Sequence, residues 1–106
     1  LVEDFFRYNT EVTTFSSCFN YSSVATIPED LFKYNTKVTS FSSCFYYCSN
    51  LNDFSIRIGS EIVNDAGSFC TLKSGTNRIV YVPSGTTTET TFINKSSAMG
   101  LTVTGE

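Results

Sequence analysis

Large apolar residues recur along the first half of the chain at a fixed interval. Phe6, Phe19, Phe32 and Phe45 are evenly spaced at every thirteenth position, and Tyr8, Tyr21, Tyr34 and Tyr47 each follow two positions later. Polar pairs come next, at Asn9-Thr10, Ser22-Ser23, Asn35-Thr36 and Cys48-Ser49, then an aliphatic residue at Val12, Val24, Val38 and Leu51. Phe15, Ile27, Phe41 and Phe54 close the four intervals. Two intervals make a longer repeat: residues 4–23 and 30–49 align without a gap at a spacing of 26, with 14 identities in 20 positions. This is a duplication. The shorter interval fits the period of neither one helix nor one strand. It predicts half of a coil that turns back once per long repeat and buries its apolar set against neighbouring coils.

Within that frame, Val38-Thr39-Ser40-Phe41 and residues 51–56 mix β-branched and aromatic positions with polar ones and predict short strands. Pro28 to Phe32 suits one helical turn, with proline early and acids near the start, and Ser42 to Phe45 suits another. Beyond Ile58 the repeat degrades and Gly59, Gly67, Gly75 and Gly85 punctuate the chain. Arg78 to Val82 is the clearest strand, ended by Pro83-Ser84-Gly85. Residues 86–99 predict a short helix, capped by Thr86, with Glu89 in its first turn and Gly100 as its stop. Leu101 to Thr104 reads as a last strand. The expected organisation is therefore residues 1–58 as two repeats of the long spacing and residues 59–106 as a C-terminal capping region.

Composition narrows the function. The 106 residues carry a net charge of −3, and without a basic face the chain is not expected to bind nucleic acid. No apolar run approaches the length of a membrane-spanning helix, so no membrane insertion is expected. His and Trp are absent, which removes Ser-His-Asp and Cys-His catalysis and His-ligated metal sites. No nucleophile or acid–base set converges, so neither an enzyme nor a metal or cofactor site is expected. Ser and Thr make up 30 of the residues, an excess common in secreted or surface β-rich proteins. The chain opens at Leu1 with no leader, and reads as a piece of a longer product.

Several of these residues resemble a known family. Phe45-x-x-Cys48-x-x-Leu51-x-x-Phe54-x-Ile56 is similar to the F-x-x-C-x-x-L-x-x-I-x-I unit of BspA-type leucine-rich repeats, found on bacterial surfaces. Val38-x-x-Phe41-x-x-x-Phe45 resembles the other half of that unit, and Ile27-Pro28 its strand-ending I-P. Residues 80–86, Val-Tyr-Val-Pro-Ser-Gly-Thr, resemble the run that closes many such arrays. The first unit departs from the pattern with Ser22 in place of cysteine, and phenylalanine often replaces leucine or isoleucine. The resemblance covers about residues 4–106. It implies an α/β fold: a right-handed leucine-rich-repeat solenoid fragment, β-rich with short helices, and a C-terminal β/α cap. It also implies adhesion or protein binding outside the cell or at its surface. Similar modules occur in virion fibre proteins, so the alternative expectation is a virion fibre or filament component assembled by stacking of repeat ends.

Candidate site residues follow from the repeat. Phe6, Phe19, Phe32 and Phe45 are expected in the core, so Tyr8, Tyr21, Tyr34 and Tyr47 fall near the surface with wet hydroxyls. Tyr8 and Tyr34 should line one side, Tyr21 and Tyr47 the other. Such rows offer rigid amphipathic contacts to a protein or glycan ligand, or else simply cover neighbouring coils. Cys18 and Cys44 hold the same place in successive units and should stack about 5 Å apart. That leaves open an oxidisable thiol pair or a ladder of small buried core residues. The open N-terminal coil is a candidate surface for self-association.

Overall fold

The computed structural model describes residues 1–62 and 68–106; Gly67 lies outside the described residues. Alternation of side chains sets three strands. β1 (Phe54–Arg57) buries Phe54 and Ile56, β2 (Arg78–Val82) buries Arg78, Val80 and Val82, and β3 (Leu101–Gly105) buries Leu101. All pair in parallel in the order β1-β2-β3, with Phe54 opposite Arg78 and Arg78 opposite Leu101. The one helix among the described residues, α1 (Thr87–Met99), begins and ends where its caps predict. The Thr86 hydroxyl accepts from the Glu89 N–H at 3.3 Å, and the Glu89 carboxylate accepts from the Gly85 N–H at 3.0 Å. Gly100, at φ 67°, takes the left-handed turn that ends the helix and that glycine adopts without the usual steric penalty. Thr88, Phe92 and Met99 form its buried side.

The expected solenoid, a parallel sheet down one face with short helices down the other, is not what the chain forms. Among the described residues its regular elements are an open three-stranded sheet and one helix, all after Asp53, in a body of 34 × 28 × 20 Å. Residues 38–41 are not a strand; only an isolated bridge joins Thr14 to Ser40. Residues 28–32 and 42–45 are tight turns rather than helical turns, closed by bonds such as Leu31 N–H to the Pro28 carbonyl and Cys44 N–H to the Phe41 carbonyl. The physical reason is local. Ser17, Tyr21, Ser43 and Tyr47 all have φ between 53° and 59°, and a left-handed residue every fourth position interrupts any extended run.

The two repeat units nonetheless lie against each other, and their rings make a continuous aromatic core. Phe6 meets Phe15 at 4.5 Å, Phe15 meets Phe32 at 5.2 Å, and Phe32 meets Phe41 at 4.7 Å. Phe19 stacks on Phe45 at 5.3 Å, and Phe45, Phe69 and Phe92 carry the chain of contacts on to α1. Each fully buried ring contributes about 1.5–3 kcal/mol, so this core replaces strand pairing as the main support of the first half. Phe6, Phe32, Phe45 and Cys44 are buried as expected, whereas Phe19 is only partly buried. Cys18, expected in a buried ladder, is exposed, because it lies on the outer side of the first unit where no described residue covers it.

Candidate functional site

Each unit places its two periodic tyrosines differently. Tyr21 and Tyr47 adopt left-handed φ values of 58° and 53°, a conformation that costs a bulky residue roughly 1–2 kcal/mol. Backbone bonds hold both: Tyr21 N–H donates to the Tyr46 carbonyl and Tyr47 N–H to the Thr71 hydroxyl, at 2.8 and 2.7 Å. Their rings meet at 5.2 Å and stay 69% and 51% exposed. Tyr46 joins them, 4.4 Å from Tyr47 and 6.2 Å from Tyr21. Hydrogen bonding to Tyr47, then the charge of that phenol, pushes the Tyr46 phenol above its ordinary value, so Tyr46 is uncharged at neutral pH.

Two open depressions adjoin these rings. One, of about 220 Å³, is lined by Tyr47, Ser49, Thr71, Leu72, Lys73 and Arg78, with Cys48 at its wall. The other, of about 250 Å³, is lined by Tyr46, Cys70, Thr71, Leu72 and Met99 among others. Thr71 and Leu72 therefore form a shared rim, and Leu72 is 57% exposed. Lys73 donates to the Ser49 carbonyl at 2.8 Å. Arg78 is buried, lies over the Phe54 ring, and donates to the carbonyls of Asn52, Thr71 and Leu51 at 2.6–2.9 Å. Three charge-assisted bonds fix that guanidinium and with Lys73 make the first depression cationic.

Tyr8 and Tyr34 make no comparable group. Tyr8 is highly exposed beside Arg7, 5.6 Å away, and Tyr34 is half-buried beside Lys33, 5.5 Å away; no ring contact joins the two among the described residues. The site thus gathers Tyr21 and Tyr47 of the expected four and adds Tyr46 and Leu72. Tyr46 had a readable signal: it replaces Asn20 of the first unit, doubling the aromatic residue there. Leu72 had none: it follows the Phe45–Cys70 bridge and the Thr71 hydroxyl that accepts from the Tyr47 N–H, pairings between parts of the chain that do not repeat.

The cysteines are all free. Burial pushes the Cys70 thiol up to about 11 and holds Cys44 well above the ordinary thiol value, where the neighbouring Cys18 and Cys48 charges raise it further. Desolvation raises Cys18 as well. Thiols raised in this way hold little thiolate at neutral pH and are poor nucleophiles. Among the described residues no group of three or more His, Cys, Asp or Glu side chains is placed to hold a metal ion, and no helix is long and apolar enough to cross a membrane.

No protein-family model matches the chain, and neither a curated protein nor a solved structure matches it. The resemblance to BspA-type repeats accordingly rests on the motifs quoted above.

Proposed function

We propose that this chain is a non-catalytic binding or adhesion module that works at a cell surface, presenting the Tyr21–Tyr46–Tyr47 face and the Leu72 rim to a protein or glycan partner. The observation that carries this reading is the clustering of three tyrosines, two of them largely exposed, in backbone conformations that disfavour bulky residues. Rigid aromatic rings lose little conformational entropy on contact and combine an apolar face with a polar tip. The adjoining cationic depression adds polar selectivity, with Ser49 and Thr71 supplying further polar groups.

The test is a binding panel of immobilised glycans and surface proteins, probed with the chain and with its Tyr21→Ala and Tyr47→Ala variants. Exposed tyrosines contribute to binding rather than to folding, so both variants should keep their thermal midpoints while losing roughly tenfold or more in affinity. Glycan hits without protein hits, or the reverse, name the partner class. Unchanged affinity in both variants rejects this face as the site.

A further inference from the structure

The chain does not treat its cations alike. Lys37 pairs with Glu11, and Arg57 with Glu29, Asp30 and Glu106. Among the described residues Lys73 and Arg78 pair with no carboxylate, although Arg78 is the one charged side chain there that is buried. The carbonyls of Asn52, Thr71 and Leu51 accept from its Nε, Nη1 and Nη2. These dipoles solvate the guanidinium but leave its charge uncancelled, and a buried charge without a counter-charge is costly.

Both cations line the depression of about 220 Å³ beside Tyr47, and no carboxylate lines it with them. Its other polar groups are donors that still hold protons. Lys73 gives one Nζ proton to the Ser49 carbonyl and keeps the rest. The Thr71 hydroxyl accepts from the Tyr47 N–H, and among the described residues its own proton meets no acceptor. The carbonyls of Ser49, Leu51, Asn52 and Thr71 are already engaged by Lys73 and Arg78. The wall therefore offers donors and positive charge to a ligand that must bring acceptors. Because the whole chain carries −3, any preference for anions is a property of this depression and not of the surface at large.

We propose that this depression holds the carboxylate or sulfate of an acidic glycan whose sugar ring lies on Tyr47, an inference that rests on the tyrosine face being the binding surface. Lys73 and the Thr71 hydroxyl contact the anion, and the Arg78 charge lies beneath them. Hydrogen bonds to an ionised acceptor are about twice as strong as neutral ones, so the acid group adds affinity that a neutral sugar lacks. An acidic peptide suits the site less well. Its backbone N–H groups would face carbonyls that are already engaged, whereas the flat C–H face of a sugar matches the exposed amphipathic ring of Tyr47.

The test is a glycan array in which each sulfated or carboxylated glycan stands beside its neutral parent, with polyglutamate as the acidic peptide. The best pair is then titrated in solution at about 50 and about 300 mM salt. The acidic member should bind about tenfold or more tighter than its parent at low salt, with a smaller margin at high salt. The sulfated and carboxylated arms name which acid the site takes. Lys73→Gln keeps a donor for Ser49 and removes the charge. It should cut the margin to about twofold while leaving the thermal midpoint and the affinity for the neutral parent unchanged. Tyr47→Ala should weaken both members equally. Equal affinity for acid and parent, with Tyr47→Ala still weakening both, overturns this inference and leaves the tyrosine face standing. A margin that survives Lys73→Gln overturns the site, and polyglutamate binding tighter than any glycan overturns the ligand class. Binding indifferent to both Tyr21→Ala and Tyr47→Ala, or no glycan binding at all, rejects the tyrosine face and this inference with it.

Discussion

Asn9 and Asn35 hold the same place in the two units, yet the structure assigns them unequal work. The Asn35 amide is buried and donates from Nδ2 to the Phe6 and Asn9 carbonyls of the first unit at 3.2 and 2.9 Å. Its Oδ1 has no partner, while Asn9 is exposed. Asn35→Ala removes two hydrogen bonds worth about 1 kcal/mol each. It also leaves a small void and relieves one unmet acceptor, so the net cost should be about 2 kcal/mol. Asn9→Ala should cost under about 0.5 kcal/mol, as for surface positions generally. Asn35→Asp should be the worst of the three at neutral pH, because an ionised carboxylate has no proton to offer two carbonyls. It should recover on acidification, when the protonated carboxyl donates one bond. Urea unfolding followed by circular dichroism measures all three, with an unchanged slope showing that stability alone moved. Equal losses at Asn9 and Asn35, or an Asn35→Asp variant as stable as Asn35→Ala at neutral pH, would refute the bridging role.

Other perturbations probe separate parts of the fold. The Arg57 guanidinium pairs with Glu29 at 3.5 Å and with Asp30 and Glu106 at 2.6 Å, and its hydrogen bond holds the Glu106 carboxyl below its ordinary value. That contribution is complete above the ordinary carboxylate range and is lost as pH falls through the lowered value, so Glu106→Gln should flatten the acid limb of the stability profile; an unchanged limb would count against the pairing. Cys70 runs the opposite way: its raised thiol stabilises fully below the ordinary value of 9.0 and less as pH climbs to about 11. The loss over that window is on the order of 2–3 kcal/mol, and Cys70→Ala should unfold less readily with alkali than the parent does. Gly100→Ala combines a left-handed φ of 67° with a new Cβ 2.8 Å from Leu72 Cδ1. It should cost about 1 kcal/mol, and Leu72 methyl shifts by NMR should report the displaced rim.

What could be read before the structure depended on how local the signal was. The helix was legible because Thr86, Glu89 and Gly100 are caps whose chemistry acts within one turn. Residues 78–82 were legible because Ile-Val-Tyr-Val is a β-branched and aromatic run ended by Pro83-Ser84-Gly85, although the buried side proves to be Arg78, Val80 and Val82. The repeat spacing also marked which segments meet, as the Phe19–Phe45 stack and the bond from Lys37 to Glu11 show. The turns at 14–21 and 40–47 were not legible. Their left-handed residues are serine and tyrosine, neither of which announces a positive φ as glycine or asparagine does. That conformation breaks the expected helical turn at 42–45 and stops any strand from continuing past Phe41, which leaves no basis for a repeating sheet. In the candidate site, Tyr21 and Tyr47 followed from periodicity, while Leu72 came from a part of the chain that no longer repeats.

The central claim is that the Tyr21–Tyr46–Tyr47 face and the Leu72 rim are where a partner lands. The most direct measurement is NMR of the tyrosine rings and leucine methyls as the tightest ligand from the binding panel is added to the intact chain. The account predicts saturable shifts at Tyr21, Tyr46, Tyr47 and Leu72, with Tyr8 and Tyr81 unmoved. Shifts confined to Tyr8 or Tyr81, with the three clustered rings silent, would contradict it.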